Sequence, residues 1–228
     1  SEIKNDFISN MTHELKTPIS TISLACEAAA DPDVGADSET IQNFIGMIDQ
    51  ENKRLGKLVE NVLQTALIDK GKLRLNLQTT RVDRLLREVV DNFQIRYQDK
   101  GGRIEIKKAD EINWEIDKVH FGNVIYNLLD NSLKYCEQAP IAQVSLIKEG
   151  NGFFLSVEDN GIGIKKEDQK RIFEKLYRVP TGDVHNVKGF GLGLNYVKSI
   201  IELHHGSIDV KSELHKGSTF IIKLPLNT

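Results

Sequence analysis

The stretch NVIYNLLDNSLKY, Asn123 to Tyr135, decides how the larger part of this 228-residue chain is read. Val124, Ile125, Leu128 and Leu129 recur at helical spacing and can bury one side of a helix. Away from them Asn127 and Asn131 stand one turn apart on a common face. Two neutral amides that close can ligate a hard cation or hold a phosphate without adding negative charge. Two ordinary surface asparagines satisfy the same spacing, so the surrounding sequence has to decide.

Farther along, SVEDNGIGI carries a strand pattern into Asp159 and a glycine turn with Gly161 and Gly163. A carboxylate at a strand end can accept a hydrogen bond from a purine amine while glycines let the backbone close around the ring. Beyond it, KGFGLGLNYVKSII sets Gly189, Gly191 and Gly193 before a helix, where exposed backbone N–H groups suit phosphate. A dinucleotide fingerprint needs a strand directly before its glycines, and PTGDVHNV reads as loop. No G-x-x-x-x-G-K-[ST], H-R-D or D-F-G occurs, which disfavours P-loop NTPases and kinases of the Ser/Thr/Tyr type.

The first third has a different texture. Ile8, Leu15, Ile22 and Ala29 repeat every seventh residue, flanked by Met11, Ile19 and Cys26. After the loop-like DPDVGADSE, Ile41, Ile48, Leu55 and Val62 do the same, supported by Phe44, Ile45, Leu58 and Val59. Such recurrence is the seam of a helical bundle, and two helices alone make a thin core. Two hairpins from two chains are therefore expected to form a four-helix bundle, the alternative being a hairpin packed on its own chain. On the first helix, the residues sharing a face with His13 are Ser9, Asn10, Lys16, Thr17 and Ser20, all polar, so His13 is expected to face solvent. Pro18 cannot donate to the carbonyl of Glu14, and the helix is expected to bend or loosen there. Glu14 offers a carboxylate beside the imidazole, able to hold the proton of one ring nitrogen and leave the other nucleophilic.

Composition is that of ordinary globular protein, 39% hydrophobic and 28% charged, and the net charge of −3 argues against a nucleic-acid binder. Cys26 and Cys136 form no C-x-x-C pair, so neither a zinc site nor a disulfide framework is indicated, and a reducing setting fits. No apolar run approaches the roughly 20 residues that span a bilayer. The opening SEIKNDFISNM, helical and without an initiator methionine, is read as part of something longer. Past a boundary near 71–77, strand patterns at 104–107, 144–148, 153–158, 207–211 and 219–224 alternate with helical patterns at 82–97, 118–135, 166–173 and 192–204. This mixture predicts an α/β sandwich with helices on one face of a sheet. His204 and His205 before Gly206 read as a helix end, explained by capping and the dipole. His185 reads as loop, and Trp114 and His120 as core or surface residues.

FISNMTHELKTPI resembles the phosphoacceptor box of two-component sensor histidine kinases, with His-Glu-Leu-Lys-Thr-Pro matched without a gap. In order, the asparagine helix, SVEDNGIGI, RIFEKLYRV and KGFGLGLN resemble the N, G1, F and G2 boxes of the catalytic domain of that family, and KGSTF its last glycine box. The resemblance implies an α+β chain: residues 1–72 a dimerisation and histidine-phosphotransfer hairpin in a dimeric four-helix bundle, and residues 73–228 a Bergerat (GHKL) ATP-binding α/β sandwich. It implies Mg²⁺ on Asn127, phosphates on Asn131 and Lys134, Tyr135 along the nucleotide, Asp159 on the adenine amine and Arg178 on the γ-phosphate. Gly161, Gly163, Gly189, Gly191 and Gly193 would shape the pocket, and the segment between Arg178 and Gly189 would be an ATP lid. Leu176, Asn195 and Ser132 depart from the family pattern.

The implied reaction moves the γ-phosphoryl of Mg-ATP to His13, with Glu14 orienting the ring, and then to an aspartate of a response-regulator receiver domain. Thr17, one turn along, matches the position linked to dephosphorylation of that regulator. A homodimer is expected, cytoplasmic, with no nucleic-acid partner and no membrane contact by this stretch, the full-length protein being anchored in the bacterial inner membrane. An ATPase of the chaperone or topoisomerase kind would not need His-Glu-Leu-Lys-Thr-Pro, a scaffold would not need the nucleotide residues, and a protein acting mainly as phosphatase stays open.

Overall fold

The computed structural model describes residues 2–31, 38–179 and 191–225. The chain divides into two compact units, one built mainly on residues up to Leu73 and one on most of the chain from Arg74 onward. The first is a hairpin of two helices, α1 (Glu2–Ala29) and α2 (Ser38–Asp69). Leu15 and Ile22 of α1 and Ile41, Phe44, Ile48, Leu55, Leu58 and Val62 of α2 are half-buried, and Ala25 is buried. Ile19, Leu24, Ile45, Val59 and Leu63 are each more than half exposed, so the hairpin alone leaves much of its apolar stripe in water.

α1 runs from Glu2 to Ala29 with Pro18 inside it, and the ring of Pro18 is buried. Two hydroxyls bond back to the carbonyls of that stretch, an arrangement that favours bending over straightening: Thr17 donates to the carbonyl of His13 and Thr21 to that of Thr17, each at 3.1 Å. At the other end, Gly71 closes α2 in the left-handed region with φ 59°. Its N–H donates to the carbonyl of Ile68 and that of Lys72 to Leu67, satisfying two carbonyls the helix leaves open.

The second unit is a five-stranded sheet, order β2-β4-β5-β7-β6, built from Arg103–Ala109, Ile141–Glu149, Gly152–Asp159, Gly217–Pro225 and Ser207–Glu213. Only β2 and β4 run parallel; the other pairs are antiparallel. Period-two alternation puts Ala142, Val144, Leu146, Phe153, Leu155, Val157, Phe220, Ile222 and Leu224 on one buried face. That face is covered by α3 (Val82–Gln98), α4 (Lys118–Lys134) and α5 (Gly193–Leu203), through Phe93, Phe121, Ile125, Leu128 and Ile200. Each such side chain taken from water contributes about 2 kcal/mol, which makes this face the cohesive centre of the unit. The predicted α/β sandwich is thus what forms.

Two differences have local causes. The helix expected at 166–173 is a run of turns: Asp168 and Gln169 both bond the carbonyl of Lys165, Arg171 and Ile172 both that of Asp168, and no longer ladder develops. Its apolar residues, Ile172 and Phe173, are adjacent and do not recur at helical spacing. Conversely, β1 (Gln78–Arg81) pairs antiparallel with β3 (Asn113–Ile116), two strands too short and too polar to stand out.

Candidate active site

Helix α4 is fixed at its start by Asp117, whose carboxylate accepts from the N–H groups of Val119 and His120 at 3.1 and 3.0 Å and from that of Asn76 at 2.8 Å. Burial pushes this carboxyl up, but those donors outweigh it and hold it below the usual carboxylate range. The backbone N–H of Asp117 donates to Nε2 of His204 at 3.0 Å, while Nδ1 of His204 lies 2.7 Å from the carbonyl of Ile200. His204 stands at the end of α5 as expected, and is besides a buried neutral cross-brace between α5 and the start of α4. His205 does follow the capping expectation. It sits left-handed at φ 59°, with its N–H on the carbonyl of Glu202 and that of Gly206 on Ile201.

With its apolar side buried, α4 turns Asn127, Asn131, Lys134 and Tyr135 partly or fully outward. Nδ2 of Asn127 donates to the carbonyl of Asn123 at 2.8 Å, which fixes the amide and frees Oδ1. A Cβ at Gly193, the first residue of α5, would stand 2.9 Å from that Oδ1, so a glycine is what lets α5 begin beside Asn127. Lys134 is paired with Asp130 at 2.6 Å.

Asp159 ends β5 with its carboxylate half-buried. Oδ1 accepts from the N–H groups of Gly161 at 2.8 Å and Ser218 at 3.2 Å, and the hydroxyl of Ser132 lies 3.5 Å from Oδ2. Burial raises this carboxyl above its ordinary value, and the donors only partly offset it. The glycines around it are dictated by close approach. A Cβ on Gly161 would lie 2.6 Å from the carbonyl oxygen of Tyr135, and one on Gly217, whose φ is 110°, would lie 1.9 Å from that of Asp159. Gly163 is left-handed with φ 70° and abuts the carbonyl of Glu213. The N–H of Ile162 donates to the carbonyl of Tyr135 at 2.9 Å, tying the glycine turn to the end of α4. Asp159, Ser212, Gly217, Ser218 and Thr219 line an open hollow there.

Arg178 is half-buried beside Tyr177, whose ring carries the guanidinium of Arg171 at 4.1 Å and whose hydroxyl donates to Asp168. Leu176 is left-handed with φ 66°, and Asn195 donates to the carbonyl of Phe173 at 3.0 Å. Gly191 is left-handed with φ 67°, whereas Gly189, His185 and all but Val179 of the lid expected between Arg178 and Gly189 lie outside the described residues. His120 bonds Tyr196 at 2.8 Å, and Trp114 is buried edge-on to Phe153.

In the hairpin, His13 is exposed. Glu14 does not hold the imidazole: its carboxylate accepts from Nη2 of Arg54 at 3.1 Å, and Nη1 of Arg54 lies 3.5 Å from Glu51. Neighbouring helix residues diverge by about 100°, so Glu14 faces α2 while His13 faces water. Neither Arg54 nor the Asp117–His204 brace is visible in sequence as part of a site, although an aspartate directly before a helical pattern is a capping signal.

Residues 3–71 match the His Kinase A (phospho-acceptor) domain, and residues 116–228 match the histidine kinase-, DNA gyrase B-, and HSP90-like ATPase family. The chain belongs to the histidine kinases. This kinase core is 45% identical to sensor protein RprX of Bacteroides fragilis (strain YCH46) over 99% of its own length, and spans 44% of that protein. Its fold is shared with Acinetobacter baumannii histidine kinase AdeS, at 24% identity and TM-score 0.68 over 95% of this chain and 98% of that one. It is shared also with histidine kinase ThkA in complex with response regulator protein TrrA, at 20% identity and TM-score 0.65 over 99% of this chain and 63% of that one. The ATPase half of the kinase core is thus an ATP-binding domain. Among the described residues no helix is long and apolar enough to cross a membrane, and no group of three or more His, Cys, Asp or Glu could hold a metal ion.

Proposed function

We propose that this chain is the autophosphorylating core of a two-component sensor, its hairpin spanning residues 1–72 and its catalytic unit residues 73–228. It moves the γ-phosphoryl of ATP to His13 and then to an aspartate of a response regulator. The observation that carries the reading is that one chain holds both a solvent-facing histidine on a polar helix face and a half-buried carboxylate bonded into a glycine turn. Asp159 accepts from the adenine amine, Tyr135 flanks the base, and Gly161, Gly163, Gly189, Gly191 and Gly193 let the backbone close on the nucleotide. Asn131, Lys134 and Arg178 hold the phosphates, Arg178 at the γ position.

The fixed amide of Asn127 presents an oxygen, the donor a hard cation takes alongside phosphate oxygens, and fits Mg²⁺ without adding charge. Mg²⁺ supplies neutralisation of the phosphates when bound. The free ring nitrogen of His13 attacks phosphorus in line, the bond to the bridging oxygen breaks, and ADP departs. Glu14 leaves Arg54 to accept the proton of the other ring nitrogen, so the ring does not keep the positive charge that attack on phosphorus places on it. Thr17, whose hydroxyl is one turn from His13, orients a water in the reverse, phosphatase direction. The exposed stripe of Ile19, Ile45, Val59 and Leu63 supports a homodimer closing a four-helix bundle. The ThkA complex with TrrA supports a receiver-domain partner. A place on the cytoplasmic side of a bacterial membrane, with an anchor elsewhere in the full-length protein, completes the reading.

The test is incubation with γ-labelled Mg-ATP of the intact chain, His13→Gln and Asn127→Ala. Acid-labile, alkali-stable label, lost in both variants, is expected. Label that persists in His13→Gln, or that resists acid, would overturn the assignment of the phosphoacceptor.

A further inference from the structure

Behind the asparagine face of α4, one carboxylate holds two cations. Oδ2 of Asp130 pairs with Nζ of Lys134 at 2.6 Å, and Oδ1 with Nη2 of Arg96, in the last turn of α3, at 2.9 Å. Arg96 is itself fixed on two other sides: Nη1 donates to the hydroxyl of Tyr126 at 3.1 Å, and the guanidinium lies 4.7 Å from the centre of the Phe93 ring. The Asp130 side chain is 14% exposed against 38% for Lys134 and 42% for Arg96, so the negative charge is the sheltered member of the trio, and Lys134 has the fewer described partners. The two helices are joined here again by Tyr97, whose hydroxyl donates to the carbonyl of Leu129 at 2.9 Å, and by Lys100, which reaches the carbonyl of Leu133.

We propose that Arg96, outside every nucleotide motif, is a positioning residue for the ATP phosphates: it keeps Asp130 neutralised when Lys134 leaves that carboxylate for a phosphate oxygen. The inference rests on the reading of Lys134 as a phosphate contact. Lys134 cannot serve Asp130 and a triphosphate equally, because both compete for one ammonium. If Asp130 had no second cation, departure of Lys134 would strand a sheltered carboxylate next to the incoming phosphates, which costs both desolvation and like-charge repulsion. Arg96 removes that cost, since its guanidinium stays on Oδ1 whichever partner Lys134 takes. A lysine in the same place would supply the charge but not the simultaneous bonds to Asp130 and Tyr126.

The experiment measures affinity for ATP and for adenosine in the intact chain, at low and high salt, for Arg96→Gln, Arg96→Lys, Asp130→Asn, Arg96→Gln with Asp130→Asn, and Lys134→Met. Melting curves identify any variant that does not fold. Arg96→Gln is expected to weaken ATP about threefold to tenfold with adenosine unchanged, and to raise KM for ATP far more than it lowers kcat. The defect shrinks in high salt, Arg96→Lys recovers most of the affinity, and adding Asp130→Asn to Arg96→Gln restores it. Equal weakening of ATP and adenosine, or a double variant as weak as Arg96→Gln, would reduce Arg96 to a structural contact and overturn the proposal. Lys134→Met weakened for ATP while Arg96→Gln matches the parent overturns this inference alone. Lys134→Met with unchanged ATP affinity overturns the phosphate role of Lys134 and the inference with it.

Discussion

At the scale of single residues, Asp159 shows a conflict between stability and binding. Its burial raises the carboxyl, so the folded state holds a proton more readily than the unfolded chain, and the ionised form lowers stability as pH rises through the folded value. Asp159→Asn retains an oxygen that can accept from Gly161 and Ser218 while removing the charge. Calorimetry at pH 8 is expected to show a melting temperature equal to or above that of the parent, with ATP affinity reduced more than tenfold. A large fall in melting temperature would mean the charge itself holds the turn. Gly161→Ala is expected to fail differently. The added methyl meets backbone, the carbonyl of Tyr135, that cannot swing away, so about 1–3 kcal/mol of stability and most nucleotide binding go together. These residues are legible in sequence because Asp159, Gly161 and Gly163 lie within one short local pattern. Arg54 is not, because it reaches Glu14 across 40 residues and is an ordinary surface type on its own helix, and Ser218 shows only through the KGSTF resemblance, its bond to Asp159 spanning 59 residues.

Among the elements, α4 is held by groups that no periodicity reveals. The amphipathic run predicts the helix, and the structure has it at Lys118–Lys134, but its start depends on Asp117 and on a histidine 87 residues away. Asp117→Ala leaves three N–H groups without their acceptor and is expected to cost about 1–3 kcal/mol in urea unfolding. His204 adds a pH dependence. Burial holds its ring below the usual histidine range, so across that interval the unfolded chain binds a proton the folded chain does not. This contribution is full above about pH 6.5 and is lost as pH falls through that value toward the folded one. Urea midpoints are therefore expected to decline from pH 7.5 to pH 5.5, and His204→Gln to flatten that decline; an unaltered slope would place the proton elsewhere. The misread 166–173 segment teaches the converse. Charged, helix-favouring composition without a recurring apolar stripe gives a segment nothing to pack, and turns bonded through the buried Asp168 take over.

For the molecule as a whole, division into a helical hairpin and a sheet with helices on one face is legible because heptads give way to alternating strands and glycines. What a single chain does not satisfy is the hairpin surface. Val59→Asp and Leu63→Asp are expected to shift sedimentation toward the monomer at micromolar concentration, leaving ATP affinity within about twofold; unchanged sedimentation would place the self-contact elsewhere. The strand order leaves β2 and β6 at the two rims of the sheet. Both rims are studded with charge, Arg103, Glu105, Lys107 and Lys108 on one and Asp209, Lys211 and Glu213 on the other. A second chain laid against either rim would have to bury those charges, so the rims resist cross-β recruitment and fibril growth. The hairpin can therefore expose an apolar flank without the rims of the sheet seeding aggregates.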